Sequence, residues 1–147
     1  MTREHATLLI AEAKESKKLT YEQIAAAVGR HKVWVTAALL GQATMSAGEA
    51  LKVTELLELP QEVAEALQRV PSRGALAETI PKDPLIYRFY EIVHVYGPTI
   101  KAVVHEMFGD GIVSAIDFEM DIQKVDDPKG ARVLLSMNGK FLPYRKW

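Results

Sequence analysis

Arg88 and Glu91 stand one helical turn apart in the run Tyr87-Arg88-Phe89-Tyr90-Glu91, inside a segment that is apolar on nearly every side. A guanidinium steadied by a carboxylate can grip and orient a small anion, because its planar donor fork matches a carboxylate-like group. On a helical wheel Leu85, Phe89, Ile92, Val93 and Tyr96 form one apolar stripe, and Tyr87, Tyr90, His94 and Val95 occupy the other side. Arg88 and Glu91 share a flank, about 60° apart at helical periodicity. A helix of this kind has to be buried all round. Burying a guanidinium without a fixed partner or an anionic ligand costs on the order of several kcal/mol. The pair is therefore a structural ion pair or a functional one; both occupy such places.

Ser114 is the second candidate. In Gly111-Ile112-Val113-Ser114-Ala115-Ile116 it interrupts an apolar face formed at period two by Ile112, Ile116 and Phe118. Its hydroxyl is expected to point toward a core or an interface, and a buried hydroxyl needs a partner, which nearby backbone can supply. No Gly-x-Ser-x-Gly elbow surrounds it, so donating a hydrogen bond to a bound anion suits the setting better than covalent attack. The histidines carry less. His5 is near a terminus, His31 sits at a turn, His105 is on a polar helix face, and His94, three residues after Glu91 and within reach of the same site, reads better as a satisfied structural histidine. No two have metal-ligand spacing, so no metal is assigned. Phe108-Gly109-Asp110-Gly111 lacks the length and the lysine of a phosphate loop and reads as a helix-to-strand turn.

The elements that must position these residues follow from local signals. Residues 1–70 read as an all-α bundle of about four or five helices, with capping boxes at Thr20–Gln23 and Ser46–Glu49. Within it, Gln23–Gly29 followed by Val33–Leu40 has the form of a helix-turn-helix. Its second helix offers only His31, Lys32 and Thr36 as polar groups near its start, short of the Arg, Lys, Asn or Gln that read base edges. Residues 71–83, with Pro71, Gly74 and Pro81, read as a linker. Asp83 is then an N-cap with Pro84 at the first helical position. That helix is expected to end near Tyr96, with Gly97 as a left-handed cap and Pro98 opening a second, amphipathic helix. From Ile112 the period changes to two. Asp127-Pro128-Lys129-Gly130 is a turn, Val133–Met137 a second strand, Asn138-Gly139 a tight hairpin turn, and Phe141–Pro143 a short last strand.

The expected class is thus α+β: an N-terminal helix-turn-helix-like bundle, then a small two-helix plus antiparallel β-sheet domain over residues 84–147. The second part has too little material for a core of its own, so it is the dimerisation or oligomerisation part as well as the catalytic one. Composition narrows the function. The formal net charge of −1 over 147 residues, with cations and acids nearly balanced in each half, argues against a phosphate-backbone partner. The absence of cysteine excludes disulfide and thiolate chemistry. No apolar run approaches membrane-spanning length and no signal peptide opens the chain, so a cytoplasmic protein is expected.

Residues 81–118 resemble the cyanase family (cyanate hydratase, cyanate lyase). The likeness is carried by Pro81-Lys82-Asp83-Pro84, Tyr87-Arg88-Phe89-Tyr90-Glu91, Val95-Tyr96-Gly97 and Phe108-Gly109-Asp110-Gly111-Ile112-Val113-Ser114-Ala115-Ile116. Val35–Gln42 and Asn138–Pro143 are also similar to the family. The resemblance implies decomposition of cyanate with bicarbonate as co-substrate, giving ammonia and carbon dioxide through carbamate, with no cofactor. It implies catalytic roles for Arg88, Glu91 and Ser114. It further implies a homodecamer, a ring of five dimers with active sites between subunits, and an N-terminal domain similar to repressor domains but not used on DNA. Pro98, where Thr or a similar residue is expected, and Met107, where Lys is frequent, depart from the family pattern. The rival expectation is a helix-turn-helix transcription regulator whose C-terminal domain senses a small anion.

Overall fold

The computed structural model of the chain describes residues 1–74 and 79–147, so part of the expected linker, residues 75–78, lies outside them. Two units are present, Met1–Ala75 and Leu76–Trp147. The first contains five helices: α1 (Arg3–Ser16), α2 (Tyr21–Val28), α3 (Lys32–Leu39), α4 (Ala47–Leu57) and α5 (Gln61–Leu67). Both capping boxes form. Gln23 N donates to Thr20 Oγ1 at 3.1 Å while Thr20 N donates to Gln23 Oε1 at 2.8 Å. Glu49 N donates to Ser46 Oγ at 3.4 Å while Ser46 N donates to Glu49 Oε2 at 2.8 Å. Each box satisfies two of the donors that a helix start leaves open.

The turn of the helix-turn-helix is made by Gly29, whose φ of 82° lies in the left-handed region. There a side chain would be strained, and glycine is not. Ile24, Val28, Val35, Leu39, Val53, Leu57, Val63 and Leu67 pack into one core. Burying each large aliphatic side chain is worth roughly 1.5–3 kcal/mol, so this unit is held by its own interior. Arg3 staples its helix ends: its guanidinium donates to the carbonyls of Ala38, Ala43 and Ala66. Burial there lowers the Arg3 pKa.

The second unit contains α6 (Pro84–Phe108), β1 (Gly111–Val125) and β2 (Arg132–Pro143). Asp83 caps α6 as expected, accepting from Leu85 N at 2.9 Å and Ile86 N at 3.0 Å. Two expectations fail here. The pair of helices is one helix of 25 residues with Pro98 inside it. Gly97 does not enter the left-handed region, so it cannot terminate the helix. Pro98 removes one backbone donor and is accommodated without ending the helix.

Among the described residues the sheet likewise has two strands and no third, and Asn138-Gly139 is not a turn. Asn138 pairs with Glu119 and Gly139 with Phe118 in mid-ladder, so the short strand expected at Phe141–Pro143 is the end of β2. The antiparallel reversal occurs at the Asp127 turn, where Lys129 N donates to Asp127 Oδ1 at 2.8 Å and Gly130 N to Asp127 O at 3.0 Å. The class is α+β.

Apart from Pro81, the buried apolar side chains among the described residues lie between Ala6 and Leu67. The second unit has no such interior: Val93 is 63% exposed, Val133 72% and Ile116 99%.

Candidate functional site

The start of α6 determines where Arg88 lies. Asp83 and Pro84 open the helix, and Arg88 follows one turn later, where its Nε donates to Pro84 O at 3.3 Å. Its Nη1 lies 3.2 Å from Glu91 Oε2, and its guanidinium carbon stands 5.2 Å from the centroid of the Tyr87 ring. Three contacts therefore fix the fork, and no bond among the described residues uses Nη2. Burial of this pair was expected and is not achieved within one chain; α6 has no buried residue. An exposed pair at this spacing contributes only about 0.2–1 kcal/mol to stability. That is too little to explain a cation and a carboxylate in the mostly apolar first half of the helix, residues 84–97.

The side of the helix shared by Tyr87, Tyr90 and His94 forms an aromatic ladder beside the pair. Tyr87 and Tyr90 have ring centroids 5.9 Å apart, and His94 stacks on Tyr90 at 6.1 Å with planes 7° apart. His94 therefore belongs to this ladder; it makes no hydrogen bond or ion pair with Glu91. His105 is used at the end of α6, its Nδ1 2.8 Å from Gly109 O and its Nε2 2.7 Å from Lys101 Nζ. With Nδ1–H donating to the carbonyl, Nε2 accepts from the lysine. The Phe108–Gly111 segment is the helix-to-strand turn that was expected, with Gly109 N donating to His105 O at 2.9 Å.

Ser114 is buried, 7% exposed, but its surroundings differ from a regular strand. The ladder pairs Val113 with Phe141 and next pairs Phe118 with Gly139, so residues 114–117 of β1 bulge opposite Lys140 alone. Within the bulge Ser114 Oγ accepts from Ile116 N at 3.1 Å and from Asp117 N at 2.9 Å. Those two bonds satisfy amides that the ladder cannot reach. Neither uses the hydroxyl proton, which stays free to be donated. The single apolar face expected along β1 is broken at this point. Ile116 points away from Ser114's surroundings into full exposure, because a bulge resets which way following side chains face.

One chain brings Arg88 and Glu91 together but does not bring Ser114 to them. Helix α6 meets the hairpin at its far end, where Phe108 packs on Phe141 with centroids 5.1 Å apart. Tyr144 N also donates to Asp110 O there, at 3.1 Å. Beyond that end the helix has no extensive packing against either strand. At 1.5 Å per residue Arg88 lies about 30 Å up the helix from Phe108.

Among the described residues no group of three or more His, Asp or Glu is placed to hold a metal ion. None of the helices described is long and apolar enough to cross a membrane. In the first unit, α3 begins with His31, whose Nδ1 accepts from Val33 N at 3.2 Å and so caps its own helix.

Comparison with known proteins covers both units. Residues 3–71 match the family model described as the N-terminal domain of cyanate hydratase, and residues 78–146 match that of the cyanate lyase C-terminal domain. The chain is 54% identical to a cyanate hydratase of Thiobacillus denitrificans over the whole of both chains. It is 52% identical, again over the whole of both, to one of Parasynechococcus marenigrum. A crystal structure of cyanase from T. urticae superposes with a TM-score of 0.84 at 43% identity, covering 94% of this chain and 96% of that one. These likenesses lend no support to the regulator alternative.

Proposed function

The chain belongs to the cyanate lyase family, and we propose on that basis that it is a cytoplasmic enzyme that decomposes cyanate with bicarbonate. The observation that carries the reading is the Arg88 fork, held by Glu91 and Pro84 O with Nη2 free, on a helix that offers little other charge. Both reactants are small anions, and the physical obstacle is bringing them together.

A bicarbonate oxygen attacks the cyanate carbon, and with one proton taken up at nitrogen the product is a carboxy-carbamate. Loss of CO2 leaves carbamate, which takes up a second proton and breaks down to ammonia and CO2. Arg88 supplies fixed positive charge and a fork that orients one anion. Ser114 donates its free hydroxyl proton to oxygen as charge develops there. Glu91 orients Arg88, since a third unpaired negative charge would repel both reactants. Holding the two anions in line converts their encounter into an effectively unimolecular step. Bicarbonate is a co-substrate, and no cofactor takes part in these steps.

Because α6 carries Arg88 away from the hairpin that carries Ser114, the site is assembled between subunits. Helix α6 and the hairpin expose the apolar surface for that assembly, and exposed patches of this extent mark association. A homodecamer, five dimers in a ring, is the assembly we propose, and the helical unit serves it without binding DNA.

Ammonia release from cyanate, measured with bicarbonate and in rigorously bicarbonate-free buffer, tests the reaction. Release only with bicarbonate is expected. An equal rate without it would remove the two-substrate mechanism, and no release in either buffer would remove the enzyme.

A further inference from the structure

Gly139 stands in the middle of β2, and its place in the strand has no local explanation. It pairs with Phe118 in the ladder, and its φ is not in the left-handed region. Glycine inside a strand is unfavourable relative to alanine because it loses more backbone entropy on folding, and such a glycine marks a close approach of backbone. The approach is to the Ser114 bulge. A Cβ at Gly139 would lie 2.6 Å from the Ser114 carbonyl oxygen and 2.5 Å from Val113 Cγ1. The valine side chain can rotate away. The carbonyl cannot, because it is backbone within the bulge whose amides at Ile116 and Asp117 are bonded to Ser114 Oγ.

We propose that Gly139 is a positioning residue for Ser114: the absence of a side chain there lets the bulge close against β2 and places the Ser114 hydroxyl. The proposal rests on the reading of Ser114 as a donor to the reacting anions. A methyl group at position 139 must push the Ser114 carbonyl outward, and the hydroxyl moves with it. Misplacing a reacting group by about 1 Å costs on the order of 100-fold in rate.

The test uses the full-length, assembled protein. Gly139→Ala is expected to lower kcat/KM for cyanate about 100-fold with assembly intact. Hydrogen exchange should show lost protection of the Ile116 and Asp117 amides while the rest of the ladder keeps its own. Combining Gly139→Ala with Ser114→Ala should cost no more than Ser114→Ala alone, since residues acting through one another are not additive. Independent, additive losses, or unchanged activity and exchange in Gly139→Ala, would overturn the assignment.

If Gly139→Ala does not assemble, Gly139→Ala with Val113→Ala removes the shortest side-chain contact and leaves the Ser114 carbonyl at 2.6 Å as the tightest, with Phe118 Cδ2 at a milder 3.4 Å. That variant should assemble with the same loss. Failure of both to assemble would show that Gly139 serves the hairpin as a whole, which also overturns the proposal. A wild-type protein inactive on cyanate, or a fully active Ser114→Ala, defeats the functional reading instead; the exchange measurement then still decides whether Gly139 holds the bulge.

Discussion

Arg88 Nη1 lies 3.2 Å from Glu91 Oε2 across one turn of α6, with the two side chains 61% and 48% exposed. Within a single chain this is a surface ion pair of little energetic consequence. Covered by another subunit, the same geometry becomes a desolvated cation with one fixed partner and one free donor face. The electrostatic attraction for an anion then rises steeply, because water no longer screens it.

Arg88→Lys is expected to lower turnover by at least about 100-fold while the oligomer and its thermal midpoint stay unchanged. Lysine keeps the charge beside Glu91 but loses the planar fork. Steady-state ammonia release and light scattering on the same preparation check both halves. Near-normal turnover would mean that bulk positive charge is enough.

Ile116→Asp should break assembly and activity together. Ile116 is 99% exposed in the bulge, on the apolar surface proposed to carry the assembly, and burying a carboxylate there without a fixed counter-charge is costly. Light scattering should find a smaller species, and the ammonia assay should find it inactive. An active species of monomer mass would contradict a site shared between chains.

Pro98→Ala should stabilise the protein. Proline inside a helix lacks the donor for the carbonyl four residues back and costs up to about 3 kcal/mol relative to alanine. A rise in the thermal midpoint of the assembled protein is the expected result; a fall would mean that the assembly uses the irregularity at Pro98.

Glu49 gives the first unit a pH dependence. The Ser46 N–H, and then Arg30, whose Nε lies 2.6 Å from Glu49 Oε1, hold this carboxyl below its usual range. A carboxyl lowered in the folded state adds stability that is present above the unfolded value, about pH 4.3, and is lost as pH falls through the folded value. Glu49→Gln keeps an acceptor for the cap but removes the titration. Acid unfolding followed by helix circular dichroism should therefore flatten in the variant, with a stability loss near neutrality of no more than about 1 kcal/mol.

The sequence alone determined the features whose cause lies within a few residues. Both capping boxes, the Asp83-Pro84 start of α6, the turns at Gly29 and at Asp127, and the Arg88–Glu91 contact each depend on groups at most four positions apart. What depended on distant partners was not legible. Gly97-Pro98 carries the usual signature of a helix end, yet the helix continues. Asn138-Gly139 carries the usual signature of a turn, yet it lies in mid-strand, because Glu119 and Phe118 pair with it. The bulge at Ser114 leaves no mark in the alternation of residue types, since it is created by the unequal lengths of chain between two ladder contacts. Ser114 is buried with nearby backbone as its partner, as its place on an apolar face implied, but tertiary structure alone decided that the partners are Ile116 and Asp117 across a bulge, and that one chain does not bring it to Arg88. The physical reason is range: a cap is settled by its own neighbours, whereas register and burial are settled by whichever surface arrives opposite.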